Sequence, residues 1–377
     1  MGADVVAGLA EALGCGEAVV GELGSGHARL TVPGPGGAFT VDVIGDLPAG
    51  RVAHLLPGGG LSVAANYCTA QGRSLARFLA DHGYLVIGTT PREDLLAAGA
   101  AGPHCAGWGL DGHWADLTRV VAAAEAVTGL PYELFGHSAG AALALATAAR
   151  SEVTGLRRVV VLDTTGPYDP VTEPESVARA EALAGQFQAQ LDAGTWVLDP
   201  GLKALFARAA AEPAGPSGVP RPAGGPGQFS NLGLVHYALT HTRELPGPAN
   251  WIYHRGHSSG SYTFGPGPGQ DRFALDRTTV GVWAEAVGRC GSGLQPTALL
   301  RDLASVWAGG RLIDWAAIRA EVLWVNAELG RGDHPLGAEL IRRGGSRVDC
   351  RVVPGYGHGD VVWGATAEAD IWTSLLP

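Results

Sequence analysis

Short runs of β-branched and apolar residues alternate along much of this chain with Ala- and Leu-rich stretches of helical period, a pattern that predicts a mostly parallel α/β sheet. His27 to Val32 and Phe39 to Ile44 read as an opening hairpin pair, Val52 to Leu56 as a buried strand and Leu85 to Gly88 as the next. A helix is predicted over Leu75 to His82, between the last two. The order then continues with a helix over Asp116 to Val127, a strand over Tyr132 to Phe135, a helix over Ala139 to Arg150 and a strand over Arg158 to Leu162. A second block completes the sheet, with strand Val322 to Val325, helix Leu336 to Arg343, strand Arg347 to Val353 and helix Thr366 to Leu375.

Between the blocks the alternation stops. From about residue 167 to 318 the chain becomes helical segments separated by Gly/Pro loops, the longest being Glu212 to Gln228, which has too few apolar residues to build a core. Trp196, Trp251, Trp283, Trp307 and Trp315 fall in this insertion and give it apolar area to bury against the sheet. The expected organisation is a core made of residues 1–166 and 319–377, with a helical cap or lid over 167–318. An independent second domain is the alternative.

The chemistry concentrates where the strand from Tyr132 meets the helix from Ala139, through Gly136-His137-Ser138-Ala139-Gly140. A serine on so sharp a turn is held in a strained backbone conformation, and the two glycines let strand and helix approach closely. Ser138 is therefore the candidate nucleophile. The N–H of Ala139 and the helix dipole face the place where an oxyanion would develop. A second glycine turn, Pro57-Gly58-Gly59-Gly60-Leu61, follows the strand expected beside it, so Gly59 or Gly60 is the candidate second donor. His137, Leu61, Trp251 and Tyr253 are expected to line the substrate site.

A histidine must take the serine proton, and His358, in the loop after the last predicted strand, is the best placed. Three carboxylates compete to orient it. Asp333 is favoured, because it lies on the loop between strand Val322 to Val325 and the next helix. Glu328 stands nearer the strand on the same loop, and Asp163 closes the strand after the elbow helix. His254 and His257 are a close pair without acidic neighbours, which argues against a metal there.

Composition narrows the partners. With 36 acidic residues against 26 basic ones the net charge is −10, which disfavours a nucleic-acid partner. The odd, scattered set Cys15, Cys68, Cys105, Cys290 and Cys350 has neither metal-site nor dithiol spacing and reads as buried thiols. No basic leader or uninterrupted apolar span is legible, so a cytoplasmic location is expected.

The elbow, the Pro-Gly-Gly-Gly loop and Gly355-Tyr356-Gly357-His358 together resemble the α/β-hydrolase superfamily over both flanking blocks. Ser74 to Ile87 looks like the helix and strand that precede the elbow in lipases and esterases, and His358 to Gly364 is similar to the acid-lipase type. Gly136 to Ala141 followed by Val159-Val160-Val161-Leu162-Asp163 is also similar to polyketide-releasing thioesterases, in which the aspartate after that strand completes the triad. The long insertion and the end motif depart from those thioesterases, so their substrate is not carried over. The chain departs from common esterases too: Pro57 stands where many have histidine, and the loop from Asn326 to Pro335 is longer than usual, which leaves the acid open. The resemblance implies a Ser–His–acid enzyme that cleaves an ester or thioester and requires no metal or organic cofactor, with a carrier protein as one source of the thioester. The Trp-rich insertion with Tyr253, Tyr262 and Phe264, read as an apolar pocket wall, suggests a hydrophobic acyl or alcohol group, the alternative being that these aromatics only pack the insertion onto the sheet. Acyl transfer or cyclisation by the same triad, and a non-catalytic binding protein on the same fold, are the alternatives.

Overall fold

The computed structural model describes the chain except residues 1, 2, 17, 21–25, 71–72, 151–153, 223–225 and 335. Its nine-stranded sheet comprises β1 (Val19–Val20), β2 (His27–Val32), β3 (Phe39–Ile44), β4 (Arg51–Leu56), β5 (Tyr84–Thr90), β6 (Tyr132–His137) and β7 (Leu156–Leu162), then after a long excursion β14 (Glu321–Ala327) and β15 (Val348–Val353). The spatial order is β1-β2-β3-β5-β4-β6-β7-β14-β15. Pairing is antiparallel from β1 to β5 and parallel from β5 to β15. The chain reverses its direction of winding at β4, so the C-terminal ends of β4 and β6 open a crevice of the kind where α/β sheets bind ligands.

The central strands are apolar on both faces because helices cover both. On one side lie α1 (Ala3–Leu13), α4 (Leu110–Thr128), α5 (Ala139–Ala148) and α11 (Leu336–Arg343), and on the other α3 (Leu75–Asp81) and α12 (Asp360–Trp363) with the C-terminal turns. All ten residues of α5 are buried, which explains its Ala-rich sequence: it has no polar face because no face meets water. The helix expected from Asp116 begins earlier, at Leu110, and ends where Gly129 adopts φ +62° and its N–H bonds to Glu125 O. Helix α1, absent from the expected elements, does carry a helical period in its buried Val5, Val6, Leu9 and Leu13, whereas the five-residue α2 (Val63–Tyr67), capped by Ser62, is too short for a period to register. The C-terminal helix expected over Thr366 to Leu375 is broken instead into α13 (Ala367–Asp370) and a 3-10 turn, with Ile371 at φ −129° leaving the helical region.

Between β7 and β14 come α6 (Pro174–Asp192), α7 (Leu202–Ala211), α8 (Asn231–Thr240), α9 (Val280–Arg289) and α10 (Thr297–Trp307). Three small antiparallel ribbons, which the sequence pattern did not reveal, tie them together: β8 (Val197–Leu198) with β13 (Gln295–Pro296), β9 (Pro216–Pro220) with β10 (Gln228–Ser230), and β11 (Gly260–Thr263) with β12 (Arg272–Leu275). The run expected to be all loop, Glu212 to Gln228, thus contributes β9, whose Ser217 is buried. Helices α6 and α10 pack on each other, and Asp302 of α10 accepts a hydrogen bond from Leu110 N at 2.9 Å, anchoring this segment to the start of α4.

Candidate active site

The turn from β6 into α5 leaves Ser138 at φ 55°, ψ −117°, outside the regions that L-residues favour, and half-buried. Both faces of the turn are fixed. Ser138 N–H donates to Leu162 O at 3.0 Å, and Ser138 O accepts from Thr164 Oγ1 at 3.0 Å. A Cβ on Gly136 would sit 2.3 Å from Gly140 O, and one on Gly140 would sit 2.0 Å from Leu56 O. The two glycines are needed because the helix start, β4 and β6 run in direct backbone contact.

The Gly58 N–H is committed to Asn66 Oδ1 at 2.8 Å, which leaves Gly59 and Gly60 as the candidate anion donors opposite Ala139. The loop that carries them is braced from the intervening segment, where Gln295 Nε2 donates to Gly59 O at 3.1 Å.

The structure brings Asp163, not Asp333, to the histidine. His358 Nδ1 lies 2.5 Å from Asp163 Oδ2, and both residues are buried. Asp163 Oδ1 accepts from the N–H groups of Ala327 and Arg331 at 2.7 and 3.1 Å. Its backbone is at φ 47°, so the carboxylate leaves the end of β7 and turns across toward β14. The favoured Asp333 is exposed on its loop. Glu328 is exposed too, and its carboxylate is occupied by Gly355 N–H at 2.7 Å. The physical reason for the correction is reach: after β14 the chain folds back on itself, with the Gly330 and Gly332 N–H groups bonded to Ala327 O, and this tight turn offers backbone N–H groups rather than a side chain to the site.

Burial pushes Asp163 up to about 6, against the Arg331 charge and the two backbone donors that favour its ionised form. Burial, together with His137 and Arg331, holds the His358 ring well below its usual range. At neutral pH the pair therefore rests as a carboxylate and a neutral imidazole whose Nδ1–H donates to Asp163, which leaves the Nε2 lone pair free to accept a proton.

His137, expected in the substrate site, has its ring nitrogens engaged elsewhere although it lines the cavity. Its Nε2–H donates to His358 O at 3.0 Å, and Nδ1 lies 3.1 Å from the Asn66 side chain. Burial lowers its pKa to about 4, so it stays neutral. The His358 loop is also bound to the intervening segment: His358 N donates to Gly256 O at 3.2 Å and Gly359 N to His257 O at 2.8 Å. Two residues on, buried Asp360 collects Ser259 N (2.6 Å), Gly357 N (2.8 Å) and Thr278 Oγ1 (2.6 Å).

Ser138, Ala139, Gly59, Gly60 and His358 all line one cavity of about 960 Å³, at the upper end of the range for small-molecule sites. Leu61 and Tyr253 line it as expected. Trp251 does not; it packs instead against Tyr168, with ring centroids 5.6 Å apart. Trp283 and Trp307 of the Trp-rich insertion join the wall, Tyr262 and Phe264 pack on each other instead, and Trp363, His257 and Arg331 form wall that sequence alone leaves unassigned. Trp283 and Trp307 are legible there only as apolar mass, and Trp363 lies in the motif after His358. Among the described residues no group of three or more His, Cys, Asp or Glu could hold a metal ion, and no helix is long and apolar enough to cross a membrane.

With this geometry in place, comparison with solved structures decides the fold. A lipase candidate from Sulfolobus solfataricus superposes over 94% of both chains with a TM-score of 0.63 at 17% identity. The chain has the α/β-hydrolase fold. A thermostable carboxyl esterase from Bacillus coagulans matches over 93% of this chain and 95% of its own, at 12% identity and a TM-score of 0.50. The family model of the thioesterase domain matches residues 114–199 of the chain, from within α4 through the elbow to the end of β8. No curated protein matches its sequence.

Proposed function

We propose that the chain is a serine hydrolase that cleaves an ester or thioester of a hydrophobic small molecule. Ser138 attacks the carbonyl while His358 accepts its proton and later delivers it to the leaving group. Asp163 holds the ring in the tautomer that makes this possible, and Ala139 with Gly59 receives the oxyanion. The observation that carries the reading is the 2.5 Å contact between His358 Nδ1 and a buried carboxylate, on the wall of the cavity that the strained Ser138 also lines. The intervening segment acts as the cap, since it furnishes most of the apolar wall and braces the loops of His358 and Gly59.

Two observations favour a thioester over a simple ester. The family match falls on the elbow segment, and the acid sits at the end of β7, as in the thioesterases that the sequence resembles. A carrier-linked acyl group is then the natural substrate class, and acyl transfer or cyclisation is open to the same acyl-enzyme wherever a nucleophile other than water enters. The test is turnover of a panel of acyl thioesters and p-nitrophenyl esters by the wild type and by Ser138→Ala. Loss of all hydrolysis in the variant is expected. Equal turnover by both would overturn the assignment, and failure of the wild type to turn over any substrate or to react with a serine-directed fluorophosphonate would favour a binding protein.

A further inference from the structure

The long loop after β14 carries a cation that the hydrolytic reading does not use. Arg331 is only 5% exposed, and its side chain forms part of the cavity wall. Among the described residues, neither its Nε nor its Nη1 has a hydrogen-bond partner. A buried guanidinium with idle N–H groups is unfavourable, because arginine cannot shed its charge to escape the desolvation. Asp163, whose charge interacts with it, does not satisfy it: that carboxylate is engaged by His358 and by backbone N–H groups, including that of Arg331 itself. What faces the guanidinium is the ring of Tyr253, with its carbon 4.3 Å from the ring centroid, and Tyr253 in turn stands edge-on to His358 at 5.3 Å between centroids. The cation is thus held by a π face, beside the proposed catalytic histidine, with donor capacity left over.

We infer that Arg331 is the binding residue for a carboxylate carried by the substrate, so that the cavity takes an amphipathic anion rather than a wholly apolar ester. This deepens the proposed function and rests on the same cavity being the substrate site. A guanidinium suits a carboxylate in charge and in shape, and the apolar wall formed by Leu61, Leu239, Ile252 and Trp307 accommodates the rest of such a molecule. The anion fills the vacant N–H groups, and its charge beside His358 stabilises the imidazolium that forms as Ser138 is deprotonated.

The test needs no turnover. Binding of octanoate and of octanamide is followed by quenching of Trp283, Trp307 and Trp363, which line the cavity, in the wild type, Arg331→Gln and Arg331→Lys. The wild type should prefer the carboxylate by about tenfold or more, the glutamine variant should bind both about equally, and the lysine variant should fall between. Thermal melts show whether each variant folds, and the lysine variant keeps the test open should the glutamine variant not. Fluorophosphonate labelling of the same samples reports separately on Ser138. If Arg331 acts only by supporting Asp163, labelling slows in Arg331→Gln while the carboxylate preference persists, and the inference is overturned. It is overturned equally if the wild type shows no preference. The side of the scissile bond follows from KM values for mono-p-nitrophenyl suberate against p-nitrophenyl octanoate, and for the octanoyl ester of para-hydroxybenzoate against phenyl octanoate. A KM rise in Arg331→Gln confined to one of the anionic substrates supports the inference and assigns the carboxylate to the acyl or the leaving group; unchanged KM for both contradicts it.

Discussion

Replacing Asp163 by asparagine separates what the carboxylate does for catalysis from what it costs the fold. The introduced amide keeps the shape, and its oxygen can still accept from Ala327 N and Arg331 N, but the group facing His358 Nδ1 becomes a donor. The ring then has to present its Nδ1 lone pair to that NH2 group and carry its proton on Nε2, the tautomer that cannot take a proton from Ser138. Loss of turnover by roughly four orders of magnitude is expected for such a swap. Stability should move the other way. Asp163 titrates at about 6 in the folded protein against 3.8 for the free side chain, so between these pH values the folded state binds more protons than the unfolded one. Stability therefore falls as pH rises from about 4 to 6, and at neutral pH the ionised group costs on the order of 3 kcal/mol, which the neutral amide removes apart from the weaker hydrogen bonds it makes. Urea denaturation at pH 7, with kcat/KM on one reactive ester, reads both quantities. The reasoning fails if Asp163→Asn keeps near-native turnover while Asp333→Asn loses it, or if the asparagine variant is markedly less stable than the wild type at pH 7.

The pH profile of kcat/KM should rise to a plateau, with the acid limb near pH 6 as the Asp163–His358 pair loses its proton; a limb near pH 8 would contradict the neutral resting imidazole. Gly140→Ala should destabilise the fold by about 3 kcal/mol or more in a denaturant titration, because the new Cβ would overlap the Leu56 carbonyl. Asp360→Ala strands three buried donors and should cost about 3 kcal/mol or more while slowing fluorophosphonate labelling through the displaced His358 loop. Gln295→Ala should lower kcat about tenfold with little change in melting temperature, since it frees the Gly59 loop but leaves the core intact.

Most of the architecture was legible because it rests on local regularities. Strands β2 to β7, β14 and β15 announce themselves as β-branched runs, and the elbow as a glycine-framed serine between strand and helix. The carboxylate that meets His358 was legible only as one of three, since its choice depends on two facts that no sequence period encodes: the positive φ that swings Asp163 across from β7, and the tight turn after β14 that keeps Glu328 and Asp333 at the surface. The ribbons β8 to β13 are only two to five residues long, and β8 pairs with β13 from a distant part of the chain, so alternation had too few positions to register. Arg331 escaped notice for another reason. Its significance lies in what its guanidinium lacks, and missing partners are visible only once the walls around it are in place.

The account turns on whether the Ser138 oxygen is made nucleophilic by the ring of His358. Peptide mapping by mass spectrometry after a timed exposure to a fluorophosphonate measures this directly. One adduct is predicted, on the peptide containing Ser138, with its rate of formation reduced by at least about a hundredfold in His358→Ala. An adduct at another residue, or an unchanged rate in that variant, would contradict the account.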